Sequence, residues 1–169
     1  MVDQLRGQWS QALTANAMCL LSVRYPECRR HLVEAAGYGP EVMESLRTPA
    51  PGYAVSDDVA GQLGMTDQER EAVNAVRRRG LAGIIPVAVK GSKYVRALAV
   101  SGYIEAGDVH LPANAPWLPA FLEEVSAFPN GSHDDMVDCV SMALSRLHRV
   151  RRGRGSGEVQ RQIRAGSVG

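Results

Sequence analysis

Short apolar runs alternate with helix-periodic segments along this chain, and that alternation confines it to an α/β layered fold. Two runs carry most of the argument. His31-Leu32-Val33 reads as a buried strand that ends at Glu34, and Leu81 to Val89 as a second, with Gly83 near its start and Pro86 within it. Residues 1–6 read as the end of a strand, and Val109 to Leu111 as a short edge strand.

The intervening segments carry helix signals. Trp9 to Tyr25 places Leu13, Ala17, Leu20 and Leu21 at helical spacing before Pro26 breaks the pattern. A Gly-containing turn and Pro40 lead into a helix near Glu41 to Leu46, because proline suits a first helical turn. Residues 48–65 are rich in Pro, Gly, Ser and Asp and read as a loop. Thr66-Asp67-Gln68-Glu69 is a capping-box pattern that opens a helix to about Arg79, where Gly80 supplies a stop. Ser92 to Ala106, Pro116 to Phe128 and Asp134 to about Arg149 read as three more helices.

Charge is divided unevenly. Residues 1–145 hold 12 Lys/Arg against 17 Asp/Glu, whereas residues 146–169 hold 7 Arg against Glu158 alone. A Gly/Ser-rich, Arg-rich end such as Arg149 to Gly157 cannot bury enough apolar surface to order itself, so residues 148–169 are expected to form a disordered, phosphate-seeking tail. Cys19, Cys28 and Cys139 are odd in number and lack metal-ligand spacing, which favours buried thiols in a reducing compartment over disulfides or a zinc site. No run is apolar and long enough to span a membrane, and the N-terminus lacks a signal-peptide pattern, so a soluble intracellular protein is expected.

The chemistry concentrates in His133-Asp134-Asp135-Met136-Val137-Asp138. Three carboxylates within five residues stand at the start of a helix whose other face shows Val137, Val140, Met142, Ala143 and Leu144. A spacing of three makes Asp135 and Asp138 neighbours on one helical face, where like charges repel unless a divalent cation holds them. Helix capping by His133 or Asp134 accounts easily for one acid and poorly for three.

Glu34 is a second candidate, lying where an apolar strand gives way to a Gly turn, the position at which open α/β sheets place site residues. A third feature is the basic stretch Lys90-Gly91-Ser92-Lys93-Tyr94-Val95-Arg96, which holds both lysines of the chain. It is either a phosphate contact at a helix start or an ordinary solvated helix start. No Gly-x-x-x-x-Gly-Lys-Ser/Thr loop is present, which excludes a P-loop ATPase within these residues, and no Gly-x-Ser-x-Gly elbow supports Ser-His-Asp chemistry. His31, His110 and His148 lack partners at useful spacing, and Trp9, Trp117 and Phe121 read as core or core-edge residues.

The ordered set Leu32-Val33-Glu34 with Gly39-Pro40, Gly91-Ser92-Lys93 with Arg96, Glu105 to Pro112 with Trp117, and Phe128 to Asp138 resembles the C-terminal nuclease domain of tailed-bacteriophage large terminase subunits. The resemblance covers about residues 2–147, with residues 48–80 as an insertion. It implies a ribonuclease H-like mixed sheet flanked by helices, and cleavage of double-stranded viral DNA at packaging through two divalent ions, Mg2+ or Mn2+. By the same resemblance Glu34, Asp135 and Asp138 match the catalytic acids and metal ligands. Asp134 becomes an adjacent ligand or orienter, and Lys90, Lys93 and Arg96 approach the DNA backbone. The implied partners are an ATPase-containing terminase chain, the small terminase subunit and the portal, in the cytoplasm of a bacterial host.

In the family the first acid lies on an opening strand upstream of the stretch that Met1 to Trp9 resembles. The sheet is therefore expected to be truncated at its first strands and the site to lack that acid. Asp3 falls in the wrong motif to replace it, and the ATPase domain is not among these residues. This leaves room for two other readings: a non-catalytic DNA-binding or packaging-assembly remnant, and a resolvase-like enzyme in which Asp57 or Asp58 replaces the first acid.

Overall fold

Parallel strands need a crossover long enough to return the chain to the same end of the sheet, and that requirement organises the first part of the molecule. In the computed structural model, which describes residues 3–147, strand β1 (His31–Glu34) pairs in parallel with β2 (Ile84–Val87). The register sets His31 opposite Ile84 and Glu34 opposite Val87. Three helices form the crossover: α2 (Gly39–Arg47), α3 (Asp57–Gln62) and α4 (Asp67–Arg79), while α1 (Gln11–Arg24) precedes β1. These elements belong to one compact unit, Leu5–Val89.

Each helix of this unit starts for a local reason. Ser10 Oγ accepts from the Leu13 amide at 3.2 Å to cap α1. Thr66 and Glu69 form the reciprocal capping box of α4, with Thr66 Oγ1 accepting the Glu69 amide and Glu69 Oε2 accepting the Thr66 amide. Pro40 lies in the first turn of α2.

Leu13, Ala17 and Leu20 of α1 bury against Val42 and Leu46 of α2 and Val73 and Val76 of α4, with Trp9, Tyr53, Leu81 and Ile84 packed around them. Arg77 of α4 is buried with this core. Its guanidinium donates to the Ser45 carbonyl at 2.8 Å and to Ser45 Oγ at 3.0 Å, and lies 4.8 Å from the centre of the Tyr53 ring, so the charge is not left bare. Gly80 ends α4 with φ +82°, where a Cβ would come within 2.5 Å of the Arg47 carbonyl oxygen.

The described residues of the second unit, 90–147 with Asp3 and Gln4, contain helices and no strand. It contains α5 (Lys93–Glu105), α6 (Leu118–Ala127) and a helix α7 that runs from 135 through 147, the last described residue. Val100, Phe121, Met136 and Val137 are buried, and Trp117 meets Phe121 edge-to-face with ring centres 6.1 Å apart.

The α/β class holds, and four local expectations do not. Described residues 3–6 are not a strand: Asp3 Oδ1 accepts the Gln4 amide at 2.7 Å, so that backbone is satisfied locally. Residues 109–111 are irregular, a segment of three residues running into the turn in which the Pro112 carbonyl accepts the Ala115 amide. Among the described residues the sheet is the parallel pair β1–β2.

Within 48–65, read as a loop, lies α3. Ser56 Oγ accepts the Val59 amide at its start, and Asp57 and Asp58 fill its first turn. The basic tail expected over 148–169 lies outside the described residues, as does the far end of the helix expected to reach Arg149. Of the three thiols only Cys19 is buried; Cys28 and Cys139 are exposed. No helix among the described residues is long and apolar enough to cross a membrane.

Candidate metal centre

The site is built on two helix starts. Ser92 caps α5, its Oγ accepting the Val95 amide at 3.3 Å, which puts Lys93 in the first turn and Arg96 three residues on, along the same face. Positive charge at a helix N-terminus opposes the helix dipole, so these two cations need anionic partners.

Asp134 and Asp138 are those partners. Lys93 Nζ lies 2.6 Å from Asp134 Oδ1 and 3.2 Å from Asp138 Oδ2. Arg96 Nη2 lies 2.5 Å from Asp138 Oδ1, and its Nη1 donates to the Gly91 carbonyl at 3.0 Å. The hydrogen bond to Asp134 holds the Lys93 ammonium above its ordinary pKa, and Asp138 adds to the effect.

The start of α7 explains why Asp134 is free to take part. The Asp138 amide donates to the Asp134 carbonyl at 3.0 Å, so Asp134 occupies the N-cap position by its backbone. An N-cap side chain ordinarily takes the amides two or three residues on. Here those amides, of Met136 and Val137, donate instead to Oε1 of Glu124, at 2.6 and 3.3 Å. Glu124 reaches across from α6 and is only 5% exposed. With the cap supplied from elsewhere, the Asp134 carboxylate turns to Lys93.

The structure thus brings together Asp134, Asp138, Lys93 and Arg96 within one unit. Asp135 opens α7 and is exposed, and Lys90 is exposed in the segment before α5. Glu34 stands in the other unit, exposed at the end of β1, where the turn to α2 is so tight that a Cβ on Gly39 would come within 1.8 Å of the Glu34 carbonyl oxygen. Asp57 pairs with Arg70 at 2.5 Å, and Asp58 accepts from Gln62 at 2.8 Å, so both acids of α3 have local partners.

Sequence reasoning missed Glu124. Its signal was an acid three residues after Phe121, on the face that α6 buries.

Three carboxylate oxygens, Asp134 Oδ1 and both of Asp138, therefore converge on cationic nitrogen atoms. Asp134 Oδ1 and Asp138 Oδ2 meet the Lys93 ammonium, and Asp138 Oδ1 meets the Arg96 guanidinium. Among the described residues no group of three or more His, Cys, Asp or Glu side chains is arranged to hold a metal.

Among curated proteins and among solved structures, none matches this chain. A family model, the terminase RNaseH-like domain, matches residues 29–147, a span that includes Glu34, the basic stretch and all three aspartates. This bears out the resemblance to the C-terminal nuclease domain of large terminase subunits, and the chain belongs to the terminase RNaseH-like domain family.

Proposed function

We propose that this chain is a divalent-metal-dependent endonuclease domain that cuts double-stranded viral DNA during packaging. The observation that carries the reading is that Asp134 and Asp138 meet on one cation, the Lys93 ammonium, in a chain of the terminase RNaseH-like family. Asp134 and Asp138 would hold Mg2+ or Mn2+ there. Asp135, next to them in sequence, and Glu34, at a strand end, are proposed as further ligands on the family resemblance. When bound, such an ion lowers the pKa of an attacking water and stabilises charge on the leaving oxygen.

The chain's own residues prepare that chemistry. Glu124 fixes the first turn of α7 and with it the direction of Asp138. Arg96 holds one Asp138 oxygen and so fixes where the carboxylate stands. Lys90, Lys93 and Arg96 form a basic segment suited to DNA phosphates, which position a duplex without reading its sequence. The proposed setting is the cytoplasm of a bacterial host, with an ATPase-containing terminase chain, a small terminase subunit and a portal as partners.

The test is nicking and linearisation of supercoiled plasmid with Mn2+. Wild type is expected to cut, with Asp138→Asn and Asp135→Ala at least a hundredfold slower. Equal rates for wild type and Asp138→Asn would remove the site. Salt-sensitive DNA binding without metal-dependent cutting would instead assign the chain to the non-catalytic DNA-binding reading.

A further inference from the structure

The two outer edges of the β1–β2 pair are unlike. Along a strand in a parallel pair, the backbone groups of successive residues point alternately toward the partner and away from it. The His31 amide donates to the Gly83 carbonyl at 3.0 Å and the Ala35 amide to the Val87 carbonyl at 2.9 Å, so the odd-numbered residues of β1 face β2. Leu32 and Glu34 therefore turn their backbone groups outward. On β2 the outward residues are Ile84 and Pro86, by the same alternation.

The β2 edge is closed. Proline has no amide to offer a further strand, and the Ile84 carbonyl accepts from Arg47 Nη2 at 3.4 Å. The β1 edge is open: among the described residues no strand lies beyond it, and Leu32 makes no outward backbone hydrogen bond. The Arg30 carbonyl, next along that edge, carries the Cys28 thiol, a weak donor, at 3.4 Å. A short two-stranded sheet with one such edge is a template for another strand.

The side chains along the edge select which strand fits. Arg30, Leu32 and Glu34 alternate onto one face, and Arg30 and Glu34 are exposed. A second copy of the segment, antiparallel about a twofold axis at Leu32, sets Leu32 opposite its own counterpart and Arg30 opposite Glu34 of the other copy. Every residue so matched points its backbone outward, as hydrogen-bonded antiparallel pairs require. The twofold repeats the opposite-charge pair on either side of the apolar one. Sliding the second copy by two residues loses both charge pairs.

We infer that the β1 edge is a self-association surface, through which two copies of this chain join their sheets by antiparallel pairing of Arg30 to Glu34. The Leu32 amide of each copy donates to the Leu32 carbonyl of the other, and the Glu34 amide to the Arg30 carbonyl. The turn to α2 crowds the Glu34 carbonyl at Gly39, so the ladder ends there. A single bond to Arg30 leaves Glu34 a second carboxylate oxygen for the ligand role proposed above.

Sedimentation equilibrium of the full chain over a wide concentration range, with hydrogen exchange at the Leu32 and Glu34 amides, is the test. Wild type is expected to pass from monomer to dimer as concentration rises, with both amides protected in the dimer alone. Arg30→Glu and Glu34→Arg each set like charges face to face twice, and each is expected to weaken dimerisation about tenfold or more. The double variant Arg30→Glu/Glu34→Arg is expected to restore it. Both positions are exposed, so the fold tolerates the reversals. A wild type that stays monomeric throughout overturns the second copy as occupant of this edge. So does a dimer that leaves the Leu32 amide unprotected, or one indifferent to both single reversals.

Discussion

Glu124 on α6 caps α7, which begins eleven positions on: its Oε1 accepts the Met136 amide at 2.6 Å and the Val137 amide at 3.3 Å. A buried carboxylate at a helix N-terminus satisfies otherwise orphaned donors and lies favourably in the helix dipole. The expected consequence is specific to the substituent. Glu124→Ala should cost about 1–3 kcal/mol, from the lost cap and the buried amides left without an acceptor. It should also speed hydrogen exchange at Met136 and Val137. Glu124→Gln keeps an acceptor oxygen and should retain most of the protection. Unchanged exchange at both amides in the alanine variant would show that the cap does not secure α7.

Gly39 is expected to be intolerant for a reason that involves Glu34. An added Cβ would lie 1.8 Å from the Glu34 carbonyl oxygen and 3.6 Å from Val33 Cγ1, so the turn after β1 must open to admit it. Gly39→Ala should destabilise the Leu5–Val89 unit by about 1–3 kcal/mol, the range for forced overpacking. Thermal denaturation gives the number. A gain in stability, the usual result of relieving glycine's unfolded-state entropy, would mean that the turn is looser than described.

Local signals in the sequence carried a long way. The Thr66–Glu69 capping box, the Ser92 start of α5 and the Gly80 stop depend on neighbours within a few residues, and they stand as read. The acidic cluster was equally visible, and within it Asp134 and Asp138 share the Lys93 ammonium. Asp134 reaches it because Glu124 accepts the amides that an N-cap side chain ordinarily takes. That contact, like the pairing of Lys93 and Arg96 with acids about forty residues on, is tertiary and leaves no periodic trace. The strands expected at residues 1–6 and 109–111 show the same boundary from the other side. A few β-compatible residues form a strand only where a neighbour offers its backbone, and three-residue patterns cannot announce a neighbour.

Glu69 should make part of the stability of the Leu5–Val89 unit depend on acid. The Arg24 guanidinium, 2.7 Å away, and the Thr66 amide hold its carboxyl down at about 2, against an ordinary 4.5. A depressed carboxyl stabilises the fold above its unfolded value and loses that contribution as pH falls through the folded one. The pair is partly solvated, so about 1 kcal/mol is expected rather than the full linkage value. Glu69→Gln preserves the capping-box reach but not the charge. The stability gap between wild type and Glu69→Gln in urea should therefore be present at pH 7 and close between pH 5 and pH 2. A gap that persists at pH 2 would trace the effect to packing instead.

The three thiols should separate by reactivity. Burial pushes the Cys19 thiol up to about 11, with Arg77 only partly opposing the shift, and it is fully enclosed by the α1 core. The thiolate is the nucleophile, so at pH 8 Cys19 is both neutral and shielded. Cys28 and Cys139 are exposed. Treatment of the native protein with a chromogenic disulfide reagent should release two equivalents rapidly and the third only at the rate of unfolding or on adding denaturant. Leu20→Ala, which removes a fully buried side chain beside Cys19 and should cost about 2–5 kcal/mol, is expected to accelerate that third equivalent by lowering the free energy of opening. Three equivalents released together from the native wild type would contradict the burial of Cys19, and with it the packing of α1 that supports the sheet.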